Sequence, residues 1–337
     1  MEEKKIILGH GSGGVLSRRL LTEIISPLLG SGDEFGLMDS AIIEIEQGKT
    51  AFTTDSYIID PIFFPGGDIG TLAVSGTVND LLMVGAAAKY ISLSLMIEEG
   101  FEIDNLKRIL KSIKHTVDQC GVKIATGDTK ILPKGKGDGI FINTAGVGEL
   151  IVSEPLTPGN ISIGDSIILT GTLGDHSAAV MIAREGLAVK SEIESDCAPL
   201  TEPLTDLLRN CQGVKYMRDP TRGGLAGVLN EISADINAEI YIDESEIPVR
   251  KDVSAVCEIL GIDPLFMANE GKAVIFIKKS DTGKAINILS KYKISEIASI
   301  IGKVKSSYKK GRVVLKTGIG GERLIHMPMT EQLPRIC

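Results

Sequence analysis

The sequence lacks tryptophan, has few aromatic residues, carries no excess of basic charge and contains no long apolar run. Aromatic residues make up 4% of the 337 residues and Trp is absent, which argues against a base-stacking surface or an aromatic cage for a cation. The formal net charge of -8 argues against nucleic acid or an anionic membrane as the main partner. A nucleotide–metal complex stays compatible with this charge, because local carboxylates can hold the metal.

The five cysteines form no recognisable metal or disulfide pattern. They lie at positions 120, 197, 211, 257 and 337, without a CxxC pair or zinc spacing, and an odd number suits neither a disulfide framework nor secretion. We interpret the first four as small buried residues. The charged start MEEKK is followed by no signal-like apolar core, and no apolar run approaches a membrane span. The sequence therefore predicts a cytoplasmic protein with reduced thiols.

Length and patterning favour two α/β domains. The chain is long enough for two ordinary cores, and Pro155–Gly159 separates two halves that alternate strands and helices in a similar way. Before this boundary we expect helices over 17–29, 71–86 and 104–120 and strands over 41–45, 49–55, 88–97, 122–125 and 140–147. After it we expect helices from 175 and over 202–210, 220–234, 251–260 and 282–292, and strands over 166–170, 238–242, 272–277, 299–304 and 312–315. The prediction is a mixed α/β (α+β) protein with domains at 1–155 and 156–326 and a flexible tail at 327–337.

A glycine-rich loop, GHGSGG at 9–14, precedes the first helical pattern. Such a loop can place backbone N–H groups against phosphates, assisted by the helix dipole. It matches neither GxGxxG after a strand nor GxxxxGK[ST]. A flexible N-terminal lead explains it equally well.

Four aspartates, Asp55, Asp80, Asp128 and Asp219, are candidate metal ligands. The pattern predicts that they lie at strand ends or beside glycine turns, with Asp80 inside an apolar helix. Carboxylates converging from different elements suit Mg²⁺ on a nucleoside triphosphate. Each alone is better explained as a turn or cap residue, and Asp219 followed by Pro220 predicts an N-cap and first helical residue. Only the four together favour a metal site.

Three further charged residues are candidates for chemistry. Lys130 could hold an anionic oxygen, Glu270 could act as a general base, and Arg222, beside two glycines, could reach a phosphate. Each could equally be a solvated surface charge. His10 and His176 could be polar contacts in a cleft, but a lone histidine carries little information.

The sequence ends in PRIC, and its last residue is Cys337. A terminal thiol can be carried on a mobile tail, modified and delivered to a cleft, with the thiolate as its reactive form. By position alone a terminal residue is more often disordered and inconsequential. The segment 327–337 spans at most about 36–40 Å when extended, and Pro328 and Pro334 discourage a helix within it.

Several stretches together resemble one ATP-binding superfamily. They are GHGSGG at 9–14, TTD at 53–55, GTVNDLLMVGA at 76–86, ATGDTK at 125–130, RDPTRGGL at 218–225 and ANEGK at 268–272. As a set they are similar to aminoimidazole ribonucleotide synthetase and selenophosphate synthetase. With the ending PRIC, the chain resembles the hydrogenase maturation members of that superfamily, the carbamoyl dehydratases, from residue 9 to residue 337.

The resemblance implies a two-domain fold like aminoimidazole ribonucleotide synthetase, in which the N-terminal domains of a homodimer pair into a β-barrel. It implies ATP in the cleft between the domains and Mg²⁺ held by Asp55, Asp80 and Asp219. The residues that it places around the nucleotide are Gly11, Ser12, Gly13, Gly14, Asp128, Thr129 and Arg222.

The resemblance also implies a reaction. A carbamoyltransferase, HypF, would load a carboxamide onto the Cys337 sulfur, and phosphoryl transfer from ATP would turn the amide oxygen into a leaving group. Loss of phosphate and protons would leave thiocyanate on Cys337, from which a HypC–HypD complex would accept cyanide for the iron of [NiFe]-hydrogenase. In this scheme Lys130 stabilises charge and Glu270 is the base.

Two alternatives stay open from the sequence. Another enzyme of the superfamily would act on a diffusible substrate and would not need a terminal cysteine, and a selenophosphate synthetase usually offers Cys or selenocysteine near the glycine loop, whereas the first cysteine here is Cys120. A non-catalytic carrier would merely present Cys337 to partners, and its aspartates and glycine loop would be vestigial.

Overall fold

The structure is a computed structural model that describes residues 14–19, 22–23, 41–45, 48–185, 192–328, 333 and 335–337. Its two large sheets, one from each half of the chain, confirm the mixed α/β fold class. None of the helices in these ranges is long and apolar enough to cross a membrane. The predicted division at 155/156 stays a prediction.

The first half builds a five-stranded sheet backed by two helices. In chain order its elements are α1 (Gly14–Arg19), β1 (Ala41–Ile45), β2 (Gly48–Tyr57), β3 (Phe63–Phe64), β4 (Gly67–Asp68), α2 (Ile69–Met83), β5 (Ala86–Glu98), α3 (Ile103–Cys120), β6 (Lys123–Leu132) and β7 (Ile140–Leu150). The sheet order is β1-β2-β7-β5-β6, with β3 and β4 paired separately. Strand β6 lies at an edge and is exposed along nearly its whole length.

Helix α2 packs across this sheet and forms much of its core. Asp68 caps its start by accepting hydrogen bonds from the backbone N–H groups of Gly70 and Thr71 at 2.8 and 3.0 Å. Of its fifteen residues, only Thr71 and Asp80 are not buried. A helix that is apolar on nearly every side must be packed against the rest of the protein on every side. Asp80 is partly exposed and therefore lies at a gap in this packing.

The second half builds a seven-stranded sheet. Its elements are β8 (Ser166–Leu169), α4 (Asp175–Glu185), α5 (Thr201–Asn210), β9 (Val214–Arg218), α6 (Gly224–Asp235), β10 (Ala238–Asp243), α7 (Lys251–Leu260), β11 (Val274–Ile277), α8 (Thr282–Leu289), β12 (Ser299–Ser307), β13 (Arg312–Lys316) and β14 (Glu322–Ile325). The order is β14-β13-β10-β12-β8-β11-β9. Every residue of β8 and β11 is buried, because these inner strands are covered on both faces.

Most predicted elements are confirmed within a few residues, and α7 coincides with its prediction. Strands β3, β4, β9 and β14 were not predicted. Of the helix predicted over 17–29, residues 17–19 belong to α1 and residues 22–23 are also described, and the rest of that prediction lies outside the described residues.

Two local predictions are wrong. The stretch Thr126–Lys130, expected to follow a short strand over 122–125, lies inside β6, whose parallel pairing with β5 continues to Leu132. Helix α6 begins at Gly224 and not at Pro220, because Gly223 and Gly224 adopt left-handed φ values of 79° and 61° that turn the chain first. Asp219 is therefore not an N-cap.

Candidate functional site

Asp55 and Asp80 meet at the edge of the first core. Strand β2 carries Asp55 and α2 carries Asp80, whose carboxylate accepts a hydrogen bond from the Thr53 hydroxyl at 2.9 Å. Burial raises the pKa of Asp55, against the opposing effects of the Arg222 charge and of hydrogen bonds from Asp80 and Tyr57. A hydrogen bond between two carboxyl groups needs a proton between them. The pair is thus an arrangement in which a cation can replace that proton.

The buried Tyr57 side chain contacts Asp55 of this pair. Its hydroxyl lies 3.2 Å from an Asp55 carboxylate oxygen and 3.2 Å from the Thr77 hydroxyl. A Cβ at Gly76 would lie 2.4 Å from the Tyr57 oxygen, so only glycine leaves room for the ring there. Burial raises the pKa of Tyr57 well above its usual value, and the phenol therefore stays a hydrogen-bond donor at neutral pH.

Glu270 and Asp219 contribute two more carboxyl groups, from the second half of the chain. Both are buried, at 4% and 7% exposure, and Glu270 Oε1 has no hydrogen-bond partner within the described part of the chain. Burial raises the pKa of Glu270 well above its usual value, and the charges of Asp219, Asp196 and Asp55 add to the rise, whereas Arg222 lowers it. The surroundings of Glu270 therefore favour its protonated form.

The segment around Glu270 is fixed by Asp196, a residue that the sequence did not identify. The Glu270 N–H donates to Asp196 Oδ1 at 3.1 Å, and Lys272 Nζ lies 3.6 Å from Asp196 Oδ2. A Cβ at Gly271 would lie 1.9 Å from the Asp196 carbonyl oxygen, so glycine is required for the approach. No local pattern marks Asp196, because its partners are more than 70 residues away.

Asn269 joins the Glu270 segment to Asp219. Its side-chain nitrogen donates to the carbonyl of Pro220 at 3.2 Å, and its oxygen accepts from the Gly174 N–H at 2.7 Å. The stretch after β9 and the turn before α4 are thereby tied to one buried amide. This bond holds Asp219, next to Pro220, near Glu270.

The end of the chain lies against the continuation of β2. The Ile58 N–H donates to the Cys337 carbonyl at 3.3 Å, and the Asp60 N–H donates to the Arg335 carbonyl at 3.2 Å. These two bonds are those of a short antiparallel pair. Cys337 therefore lies beside Ile58, three residues after Asp55, which is roughly 10 Å along an extended strand. The described residues 335–337 of the predicted tail are docked on this segment, and the predicted flexible tail at 327–337 stays a prediction.

Asp128, Thr129 and Lys130 lie away from this cluster within one chain. Lys130 Nζ donates to Asp128 at 2.9 Å, and this bond, with one from the Thr129 N–H, lowers the pKa of the exposed Asp128. Strand β6 is separated from β2 by β5 and β7, about 14 Å at ordinary strand spacing. The register aligns Asp128 with Ser56 and not with Asp55, so the two aspartates leave opposite faces of the sheet.

The remaining predicted residues divide into three groups. Arg222 is exposed, yet its charge acts on both Asp55 and Glu270. Gly14 begins α1 with a φ of 81°. The other predicted residues of the phosphate loop, Gly11, Ser12 and Gly13, lie outside the described residues, as does His10. His176 is buried and contacts the carbonyl of Ile336.

The other four cysteines are inert thiols. Cys197, Cys211 and Cys257 are buried and Cys120 is partly exposed. Burial raises the pKa of each, to about 11 for Cys120 and for Cys257, so none is a thiolate at neutral pH. Cys197 lies within reach of the charges of Glu270 and Asp196, whereas Cys337 is the cysteine that pairs with the continuation of β2.

The carboxyl groups do not form a closed metal cage. Among the residues that the structure describes, no three His, Cys, Asp or Glu side chains are arranged to hold a metal ion. The donor set nevertheless fits a hard cation, since the Asp55 and Asp80 carboxyl groups lie within hydrogen-bonding distance of each other and Glu270 Oε1 has no hydrogen-bond partner in the described part of the chain. The Mg²⁺ ligand set Asp55, Asp80 and Asp219 stays a prediction.

Comparison with known proteins gives consistent matches along the chain. The sequence profile of AIR synthase related protein, N-terminal domain, matches residues 37–150, and that of its C-terminal domain matches residues 162–314. Carbamoyl dehydratase HypE of Rhodobacter capsulatus is 39% identical over 340 residues, covering 100% of this chain and 99% of the relative. HypE of Escherichia coli (strain K12) is 40% identical over 337 residues, covering 98% and 99%.

Solved structures give the same picture. A HypE–HypF complex matches with a TM-score of 0.86 and 41% identity, covering 92% of this chain and 99% of that chain. HypE in complex with ATP matches with a TM-score of 0.84 and 41% identity, covering 99% and 100%. A ThiL structure complexed with AMPPCP and TMP, at 18% identity and a TM-score of 0.71 over 96% of this chain and 100% of that chain, shows that the fold is shared more widely.

Proposed function

The chain belongs to the HypE family of AIR synthase related proteins, and we propose that it is an ATP-dependent carbamoyl dehydratase of hydrogenase maturation that acts on its own Cys337. The observation that carries the proposal is the docked tail, since Cys337 pairs with the residues that follow Asp55 on one strand. An enzyme with a diffusible substrate has no use for a terminal cysteine docked against the strand that carries Asp55.

The proposed substrate is an S-carbamoyl group on Cys337. The amide oxygen attacks the γ-phosphorus of ATP and ADP leaves, while the nitrogen loses one proton. The nitrogen then loses its second proton as the carbon–oxygen bond breaks, and inorganic phosphate departs from thiocyanate on sulfur. Phosphorylation is needed because oxide is a poor leaving group, whereas phosphate is a good one.

Glu270 is the proposed base. Its burial gives it a high proton affinity, which suits it to accept a proton from nitrogen. The Arg222 charge lowers the pKa of Glu270 and favours the ionised form that a base requires. The dry surroundings of Glu270 also keep water from competing for the phosphorylated carbamoyl group.

Asp55, Asp80 and Asp219 are the proposed ligands of Mg²⁺, which would neutralise charge on the phosphates of ATP. Arg222 is the proposed contact of a phosphate, supported by its exposure and by the action of its charge on Asp55 and Glu270. The glycine loop ending at Gly14 is proposed to cover the nucleotide.

A homodimer would account for Asp128 and Lys130. Phe52 and Tyr90 lie in one row across the face of the first sheet that points away from α2, at 37% and 50% exposure. A second copy on this face would bury that row together with the edge of β6, and it would bring its own Asp128 and Lys130 within reach of the phosphates. Tyr90→Lys should then give a monomer in sedimentation and lose phosphoryl transfer.

The proposed partners follow from the chemistry. A HypF-type carbamoyltransferase must load Cys337, because the reaction consumes a carbamoyl group that ATP does not supply. A HypC–HypD complex is the proposed acceptor of cyanide from the thiocyanate.

The test follows the mass of the C-terminal peptide. The protein is carbamoylated by its transferase partner, Mg-ATP is added, and the peptide carrying Cys337 is weighed. Loss of one water supports the proposal, and its absence in Glu270→Gln with nucleotide binding intact supports Glu270 as the base. A carbamoylated peptide of unchanged mass despite ATP turnover would contradict the proposal and point to a diffusible substrate.

A further inference from the structure

Helix α4 contacts the main chain of the docked tail at two points. His176 stands in its first turn and Arg184 in its last, about 12 Å apart along the axis. Both side chains reach carbonyl oxygens: His176 Nε2 lies 2.7 Å from that of Ile336, and Arg184 Nη2 donates to that of Arg335 at 2.7 Å. These contacts are additional to the pairing with the continuation of β2.

His176 is held in one tautomer. A carbonyl oxygen only accepts, so Nε2 carries the hydrogen that bonds Ile336. Burial lowers the pKa of His176, and in the neutral ring Nδ1 is then the acceptor for the Ser195 hydroxyl at 2.7 Å. Ser195 Oγ in turn accepts from the Cys197 N–H at 3.0 Å. The donors run in one direction, from Cys197 through Ser195 and His176 to the tail.

Arg184 joins the two paired segments. Its Nε donates to the Asp60 carbonyl at 2.8 Å while Nη2 donates to the Arg335 carbonyl. The planar guanidinium therefore spans the strand on one side and the tail on the other, a geometry that Lys cannot reproduce. Arg335 adds a return contact, since its Nε donates to the Ile58 carbonyl at 3.0 Å.

We propose that His176 and Arg184 are positioning residues that latch the tail in the docked state through its main-chain carbonyls. Neither contact involves the Cys337 side chain, so the latch holds the free, carbamoylated and cyanated tail alike. The inference rests on the proposed function, in which the tail is docked for dehydration and released for loading by a partner enzyme. The latch then sets the balance between these two states.

The first test measures tail release without any catalysis. The intact protein is treated with iodoacetamide, and alkylation of each cysteine is followed by peptide mass, with buried Cys211 and Cys257 as internal references. In Arg184→Ala we expect Cys337 to react about ten-fold faster, as expected for the loss of a charge-assisted hydrogen bond. Arg209→Ala, which removes an exposed arginine at the end of α5, should leave the rate unchanged. An unchanged Cys337 rate in Arg184→Ala would overturn the latch.

The second test uses the reaction. In Arg184→Ala, loading by the transferase should be as fast as in the wild type or faster, whereas single-turnover dehydration should slow about ten-fold. General damage to the fold would lower both rates, and that outcome would overturn the proposal. His176→Gln keeps an N–H donor near the Nε2 position and should retain more dehydration than His176→Phe; equal rates would remove His176 from the latch.

The two tests separate the latch from the proposed function. If the wild type performs no dehydration, the function fails and the alkylation test still decides the latch. If dehydration occurs but Cys337 alkylation is the same in all variants, the function stands and the latch fails.

Discussion

Replacing Glu270 by Gln should stabilise the folded protein at neutral pH while it abolishes dehydration. Burial raises the pKa of Glu270 well above 4.5, and neighbouring carboxylates add to the rise. Below pH 4.5 the carboxyl is protonated in both the folded and the unfolded state, so it contributes no difference. Above pH 4.5 the unfolded state ionises while the folded state keeps its proton, and the free energy of unfolding falls as pH rises until the folded pKa is reached.

The stabilisation that we expect from Glu270→Gln has an upper limit. Each pH unit in this window costs about 1.4 kcal/mol. From the ordinary value of 4.5 to pH 7 the penalty therefore cannot exceed about 3.4 kcal/mol. The glutamine side chain of the variant has no proton to retain, and its amide has nearly the same shape as the carboxyl. We expect Glu270→Gln to gain about 1–3 kcal/mol at pH 7 and almost nothing at pH 5.

Urea unfolding at several pH values between 5 and 8 measures this difference. Glu296→Gln, at an exposed position, is the matched control and should follow the wild type at every pH. The reasoning is refuted if Glu270→Gln is less stable than the wild type at pH 7, because Glu270 would then be ionised and paired in the folded state. Mg-ATP should narrow the gap, since a bound cation favours the ionised carboxylates of the wild type.

Three further predictions concern the metal, the tail and the backbone at the site. Asp219→Asn should weaken nucleotide binding at least about ten-fold in the presence of Mg²⁺, and calorimetry showing an equal loss in EDTA would contradict the metal role. Cys337→Ala should bind ATP normally and yield no modified peptide; loss of ATP binding would contradict the movable tail. Gly271→Ala would place a Cβ 1.9 Å from the Asp196 carbonyl and should cost about 2 kcal/mol or more, whereas Gly283→Ala, with open space around it, should not lower the melting temperature.

Local pattern predicted the elements whose own residues decide their structure. Helix α7 matched because Val253, Val256 and Cys257 recur at helical spacing and are the residues that become buried. Asp219–Pro220 was misleading for the opposite reason. Its helix-start signal is strong, but Gly223 and Gly224 turn the chain, and a Cβ at Gly224 would lie 2.6 Å from the carbonyl oxygen of Leu265. A tertiary contact overrode a local preference there.

The same distinction between local pattern and tertiary contact applies to the candidate site. Asp55, Asp80, Asp219 and Glu270 were candidates from local pattern and also lie in stretches that resemble the superfamily, and the electrostatic neighbours of Glu270 include two of the other three. Asp196 lies in no such stretch. It acts through a backbone N–H of a residue 74 positions away, and no periodicity or turn rule reports a partner at that distance.

Because Asp219 is not an N-cap, its place in the carboxyl cluster needs another explanation. An aspartate that caps a helix has its charge balanced by backbone N–H groups, and Asp219 has lost that explanation. It is buried at 7% exposure beside Glu270, whose proton affinity it raises. Burial likewise raises the pKa of Asp55, whose carboxyl group is hydrogen-bonded to Asp80. Burying several carboxyl groups together is costly unless positive charge balances them. Arg222 supplies part of that charge, and the proposed Mg²⁺ would add to it. The docked tail lies on the continuation of the strand that carries Asp55, so both parts of the proposed reaction depend on the same strand.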